Sequence, residues 1–334
     1  IGGTKLMAII DKPSDYFNTI LYTGNGNSGH AQTGVGFQPD WVWLKSRTNG
    51  EYHNFYDVVR GVTKRLSTQP AGAAQTTISG LTAFGSDGFT VGAADTANQN
   101  SQSFVAWNWK ETADAGFDIV SYTGTGSNRT VAHNLGVVPQ MIIVKRYNDG
   151  TASWMVYHQS LGNNKYLSLD ATAAEDTGHW NSTSPTASVF SVDTDQRVNA
   201  NGASYIAYVF AQKQGLSRFG SYVGNGNADG TFVYTGFRPA FVMNKSNTNT
   251  EQWIIKDVAR DPFNVVEKNL SASSASSEAG WGTAYDIDIL SNGFKMRDGS
   301  GQTNGSGYGF IYMAFAENPF VTSTGNGSIP ACAG

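Results

Sequence analysis

Apolar residues fall along this chain in short runs, separated by clusters of Gly, Asn, Ser and Thr of the kind that make tight turns. In Trp41–Lys45 (WVWLK), Trp41 and Trp43 point one way and Val42 and Leu44 the other, because side chains alternate along a strand. Both faces are apolar, so the strand is expected to be buried on both sides. Met141–Lys145 (MIIVK) is the same strand in β-branched form. Pro39, Pro139 and Pro239 stand ahead of these runs, where the missing N–H costs no ladder bond. Gly36, Gly136 and Gly236, three residues earlier, predict a turn or a bulge. A second type of run, aromatic and apolar, recurs at Ser103–Lys110, Ser204–Lys213 and Tyr308–Asn318.

The spacing of these runs is itself a pattern. LYTGNG, SYTGTG and SYVGNG begin at Leu21, Ser121 and Ser221, and Lys45, Lys145 and Lys245 keep the same register. The later halves match more loosely: Asn54–Gly61 answers Trp154–Gly162 and Trp253–Asp261, and Ser86–Gly92 answers Ser291–Arg297. A fixed period marks a repeat architecture. The expected fold is all-β: three tandem antiparallel β-sandwich repeats, jelly-roll-like, each of ~100 residues with about seven to nine strands. The units are residues 15–111, 112–215 and 216–320. Residues 1–14 read as an N-terminal arm or an added remnant, with Met7 a natural start, and 321–334 as a flexible tail. The polar stretches Ala171–Trp180 and Ala272–Trp281 read as long loops with one helical turn. In the recurrent phrase the tyrosine is expected to pack and the two glycines to turn the chain.

Composition narrows the function classes. Charged residues are 14% of the 334, against a usual ~25%, and the net charge is −4. No Lys/Arg run offers phosphate contacts, so nucleic acid is not an expected partner. No stretch approaches the ~20 apolar residues of a membrane span, so no membrane insertion is expected. The first residues lack the layout of a signal peptide. The single cysteine, Cys332, allows neither an intrachain disulfide nor a cysteine zinc site.

Candidate chemistry is sparse. The histidines His30, His53, His133, His158 and His179 show no metal-ligand spacing. Of the acidic pairs, Asp286 and Asp288 share a strand face, Asp193 and Asp195 alternate, and Glu175–Asp176 sit in a loop; none recurs in all copies. They read as exposed acids rather than a glycosidase pair. GNGNSG and GNGNADG read as hairpin turns rather than phosphate loops. Asp57/Arg60 and Asp257/Arg260 would need a turn to meet, and read as structural ion pairs. No catalytic residue, metal site or cofactor is expected. Six of the eight tryptophans lie in strand-like runs and read as core; Trp180 and Trp281 lie in matching polar loops. With His179, these two are the candidate glycan-binding residues, since sugars stack on aromatic faces while polar neighbours bond their hydroxyls.

The phrases TGVGFQPDWVWLKSR, DVVRGVTKRL, FDIVSYTGTG, TVAHNLGVVPQMIIVKR and IYMAFAENPF, in this order, resemble a family of uncharacterised virion proteins of tailed bacteriophages, many of them marine. The resemblance spans about Phe17–Phe320. It implies a structural protein of the particle: a tail fibre, tail-associated adhesin or capsid appendage. The family would lead one to expect a short basic tail after Asn318–Phe320, where this chain has VTSTGNGSIPACAG. The expected function is a virion protein contacting host-surface glycan. The alternatives are a capsid decoration or tail-structural protein with no receptor role, and a glycan depolymerase. Expected partners are other virion proteins, host-surface polysaccharide and further copies of the chain. Self-association is expected because sandwich edges need covering, with a homotrimer favoured as the usual choice in fibres; the alternative is three in-register units packed round a pseudo-threefold axis within one chain.

Overall fold

The computed structural model describes residues 9–68, 72–148, 152–280 and 284–319. A short 3-10 turn, Pro13–Asp15, leads into the first unit. Its strands are β1 (Phe17–Thr23), β2 (His30–Thr33), β3 (Trp41–Ser46), β4 (Asn54–Asp57), β5 (Lys64–Ser67), β6 (Gln75–Thr76), β7 (Leu81–Gly85), β8 (Gly88–Val91) and β9 (Ser103–Trp109), with a helical turn α1 (Asp95–Asn98) before the last. The second unit has β10 (Phe117–Thr123), β11 (Arg129–Ala132), β12 (Met141–Arg146), β13 (Met155–His158), β14 (Lys165–Ser168), β15 (Asp176–Thr177), β16 (Val189–Val192) and β17 (Ser204–Phe210), with α2 (Gln196–Asn199) before β17. The third has β18 (Ser217–Val223), β19 (Phe232–Tyr234), β20 (Phe237–Ser246), β21 (Ile254–Asp257), β22 (Lys268–Ser271), β23 (Ala279–Gly280), β24 (Ile287–Leu290), β25 (Gly293–Met296) and β26 (Gly309–Pro319). The fold is all-β and every strand pairing is antiparallel. The helical turns precede the closing strands, not the loops at Ala171–Trp180 and Ala272–Trp281, which instead add the two-residue strands β15 and β23 to a sheet edge.

Each unit pairs a six-stranded sheet with a small one. The large sheets run β1-β9-β3-β4-β5-β6, β10-β17-β12-β13-β14-β15 and β18-β26-β20-β21-β22-β23, one strand order three times. The small sheets are β2-β8-β7, β11-β16 and β19-β25-β24. Alternation then sorts the apolar residues of each large sheet between two cores. Val42, Leu44, Tyr56, Phe104 and Ala106 face the unit's own small sheet. Trp41, Trp43, Phe55, Trp107 and Trp109 face the other way, into a cluster they share with Met141, Ile143, Trp154, Tyr208 and Phe210 of the second unit and Phe241, Met243, Trp253, Met313 and Phe315 of the third. The three large sheets therefore surround one common core, and this is why β3 is buried at every position. Trp41 stacks on Tyr208 at 4.4 Å and lies 4.5 Å from Trp109, and Phe17 stacks on Phe315 at 4.8 Å.

The seams close cyclically. His53, Trp154 and Trp253 occupy one position, just ahead of β4, β13 and β21. Each bonds the carbonyl at the end of β5, β14 or β22 in a neighbour: His53 Nε2 to Ser271 O at 2.8 Å, Trp154 Nε1 to Ser67 O at 3.0 Å, and Trp253 Nε1 to Ser168 O at 2.8 Å. His53 can donate there because its Nδ1 accepts from Trp43 Nε1. A backbone set closes the same seams with donors running the opposite way round, Ala74 N to Tyr147 O, Glu175 N to Asn247 O and Glu278 N to Arg47 O, at 2.9, 2.8 and 2.7 Å. Equivalent residues meet at equivalent levels, so the chain builds a pseudo-threefold axis within itself and its units share one pole.

The recurrent phrase lies at the pole where β1, β10 and β18 end. Tyr22, Tyr122 and Tyr222 donate to the carbonyls of Ala97, Val198 and Thr303 at 2.5, 2.7 and 2.7 Å. A Cβ on Gly24, Gly124 or Gly224 would fall on the carbonyl oxygen of Gln99, Ala200 or Gly305, while Gly26, Gly126 and Gly226 have φ of +70°, +72° and +68°. Asn98, Asn199 and Asn304 tie the turn down, each accepting from the second residue of a Gly-x-Gly turn and donating to Asn27, Ser127 and Asn227 carbonyls. Pro39 and Pro139 precede their strands, whereas Pro239 lies within β20, at a register shift that absorbs its missing donor. Residues 10 and 319 lie at the opposite pole, beside Gln214 and Phe237.

Candidate functional site

Of the three sequence-predicted glycan-binding residues, Trp281 lies outside the described residues, and the other two are buried. Trp180 is 1% exposed, donates from Nε1 to Lys165 O at 3.0 Å and meets Tyr157 edge-on. The reason is positional. The residue after each inner strand of the small sheets bonds one carbonyl: Gly92 N to Gly80 O, Asp193 N to His179 O, and Arg297 N to Asp286 O. Gly80, His179 and Asp286 are thus equivalent, and so are the next residues, Leu81, Trp180 and Ile287, all core. Among the described residues the second unit's small sheet has two strands; the loop that stands in place of a third, with positive φ at His179, Asn181 and Ser182, tucks Trp180 in where the others place an aliphatic side chain. Trp180 offers no ring face to a sugar.

His179 is equally enclosed, 4.0 Å from the Tyr166 ring. Neither ring nitrogen has a hydrogen-bond partner, and burial lowers its pKa to about 4. The neighbouring acids are structural: Asp193 accepts from the His179 and Asp195 amides, and Asp195 caps α2 through Arg197 N. The other histidines, unlike His179, make ring hydrogen bonds. His30 bonds Asn98, His133 bonds Thr186 O, and His158 bonds Tyr312 O across a seam.

The Asp/Arg pairs form through a turn after the strand, at 2.6 Å for Arg60–Asp57 and 2.5 Å for Arg260–Asp257. They also serve the seams. Asp57 Oδ2 accepts from Tyr208 at 2.8 Å, and Asp257 Oδ2 from Trp107 at 3.0 Å. In the second unit His158 holds the place of the aspartate and has no arginine; its Nδ1 accepts from Ser160 N, leaving Nε2–H for Tyr312 O. Burial holds that imidazole neutral, at about 4.

The third unit differs most, in its interior and on its surface. Behind its small sheet, Lys256 and Asp286 stand where the first unit has Tyr56 and Gly80 and the second Tyr157 and His179. In the first unit a Cβ on Gly80 would lie 2.5 Å from the Tyr56 hydroxyl. Lys256 is 1% exposed and donates to Val266 O; burial lowers its pKa to about 7 and raises that of Asp286 to about 6. Asp286 is therefore not the exposed acid that its alternation with Asp288 suggests; it precedes β24 and is buried, while Asp288 lies 3.4 Å from Arg297.

On the outer surface, strand pairing aligns Ala31 and Thr33 with Thr130 and Ala132 and with Phe232 and Tyr234. The third copy alone puts two aromatic rings at these outward positions, 45% and 44% exposed. Lys295, directly opposite Phe232, is paired with Asp229. At the loop pole the same sheet adjoins a cleft of about 590 Å³ lined by Ala228, Ala284, Arg297, Asp298, Gly299 and Ser300. Asp298 is 7% exposed; its Oδ1 accepts from Ser300 N and Thr303 Oγ1, and its Oδ2 has no partner. No tryptophan marks this face in the sequence. The available signal was the outward Phe-x-Tyr, visible once the copies are aligned by strand register.

Among the described residues no group of three or more His, Cys, Asp or Glu could hold a metal ion, and no helix is long and apolar enough to cross a membrane. The chain belongs to the family described as Domain of unknown function (DUF7483), whose match spans residues 12–319. That span takes in all three units, so the family corresponds to the whole threefold assembly rather than to one copy. No curated protein matches the chain.

Proposed function

We propose that this chain is a structural protein of a bacteriophage particle, a tail-fibre or appendage protein that contacts host-surface polysaccharide and has no catalytic role. The observation that carries the reading is how the polar residues are spent. The Asp/Arg pairs, the seam histidines His53 and His158, and the asparagines Asn98, Asn199 and Asn304 each hold one unit to another or one loop to its turn. On the surface, the third copy alone presents an outward aromatic pair, Phe232 and Tyr234, beside a cleft at the loop pole. A rigid scaffold carrying variable loops suits recognition. The phrase-by-phrase resemblance to phage virion proteins supplies the location.

The proposal includes association with other virion proteins and with further copies of the chain, a trimer first; light scattering that returns a monomer removes the last part alone. The test is localisation and blockade. Gold-labelled antibody should mark the tail or its appendages, and antibody fragments should slow adsorption to host cells. Label on capsid lattice sites, with adsorption unaffected, would replace this reading with a decoration role.

A further inference from the structure

The third unit's outer sheet and the adjoining cleft form one continuous feature. Gly230 N bonds Met296 O and Met296 N bonds Thr231 O, so the strand bearing Phe232 runs directly out of the cleft wall formed by Ala228 and Arg297. We propose that this feature is a glycan-binding subsite, taking a linear neutral polysaccharide laid along β19 with its end in the cleft. The inference rests on the polysaccharide-contacting role proposed above and names where and what it would bind.

Three properties select this ligand. Phe232 and Tyr234 are two residues apart on one strand, so their side chains leave the same face from backbone positions about 7 Å apart, a spacing that suits two apolar platforms for successive sugar rings. Both are about half exposed in the free chain, so no reorganisation precedes binding. The flanking charges cancel: Lys295 is paired with Asp229 and Arg297 with Asp288. The two pairs leave donors and acceptors for hydroxyls, and the Asp298 carboxyl in the cleft leaves the site with an excess of acid over base, which favours a neutral glycan over an acidic one. The cleft supplies the third property. Asp298 lines it, is more than nine-tenths buried, and keeps Oδ2 without a partner while Oδ1 is engaged. Oδ2 is itself enclosed, so Asp298 serves the cleft through Oδ1, which holds the Ser300–Thr303 turn and so presents Ser300 to a ligand. Ser300 and Arg297 beside it can accept and donate. The other two units lack the platform at the equivalent positions, Ala31 and Thr33, and Thr130 and Ala132.

The experiment uses the full chain on an array of neutral and acidic bacterial oligosaccharides, with wild type, the double variant Phe232→Ala/Tyr234→Ala, Asp298→Asn, and Thr130→Ala as a control on the second unit. Wild type should bind neutral oligosaccharides of two or more sugars. The double variant should lose at least tenfold in affinity with its thermal midpoint unchanged, and Thr130→Ala should bind as wild type does. Asp298→Asn should weaken binding to the same glycans. Undiminished binding by the double variant overturns the subsite and leaves the appendage reading standing. Binding to acidic glycans alone overturns the choice of ligand. No binding by wild type to any glycan overturns the subsite and the polysaccharide role together.

Discussion

The common core and the third unit's outer sheet obey different rules. At the core the three copies must fit one another, and they reach the same contact with different residues: His53, Trp154 and Trp253 each offer a ring N–H to a neighbour's serine carbonyl. What is preserved is a donor at one level of the axis, not a residue type. On the outer sheets each copy answers only to itself. Leu81, Trp180 and Ile287 fill one position, and the outward pair runs from Ala31 and Thr33 to Phe232 and Tyr234. Closure around an axis constrains geometry and leaves identity free; a surface that meets no other unit is free in both.

The comparison can be broken most sharply at its centre. Trp41→Ala removes a ring wholly buried against Tyr208 and Trp109 and should cost about 3–5 kcal/mol. All three units should be lost in one transition in denaturant, because they share the core; separate transitions would show that each folds alone. Asp57→Ala strands the buried Arg60 and removes the acceptor for Tyr208 across the seam, again about 3–5 kcal/mol by chemical denaturation. Asp15→Ala, which breaks the exposed Lys12–Asp15 pair, should change stability by less than ~1 kcal/mol.

Acid should find the seam that lacks an aspartate. His158 titrates near 4 in the folded chain and about 6.5 when unfolded, so between these values the unfolded state binds more protons. Stability should therefore fall as pH drops from about 6.5 to 4, by up to ~3 kcal/mol from this residue, and lose nothing further from it below 4. His179, also lowered to about 4, adds to the same window. His158→Gln should flatten the profile of denaturation midpoint against pH; an unchanged slope would remove His158 from the account. Tyr122→Phe, which deletes one hydroxyl bond to Val198 O, should cost about 1 kcal/mol. Tyr234→Ala, on the outer sheet, should stay within about 0.5 kcal/mol in the same assay.

Much of this could be read before the fold was known. The repeat fixed the strands, the turn glycines and the packed tyrosines, because those depend on local chemistry: alternation, positive φ and a missing Cβ. The Asp/Arg pairs could be foreseen as ion pairs, but not as seam residues, since the partners Tyr208 and Trp107 come from other units. The burial of Trp180 and His179 was hidden for the same reason. Trp180 sits in a stretch of Gly, Asn, Ser and Thr that reads as exposed, and only the loop that stands in place of a third strand beside β16 makes room for the ring in the core.

The sequence alone determined that each strand such as Trp41–Ser46 has two apolar faces, because the pleat sends successive side chains to opposite sides. It did not determine what covers each face. That the even side of β3 meets its own small sheet while the odd side meets two other units is a property of closure, decided by contacts between residues far apart along the chain. Exposure is settled in the same way: whether an aromatic ring fills a core or faces water depends on what lies opposite, and only the folded chain puts Trp180 inside and Phe232 and Tyr234 out.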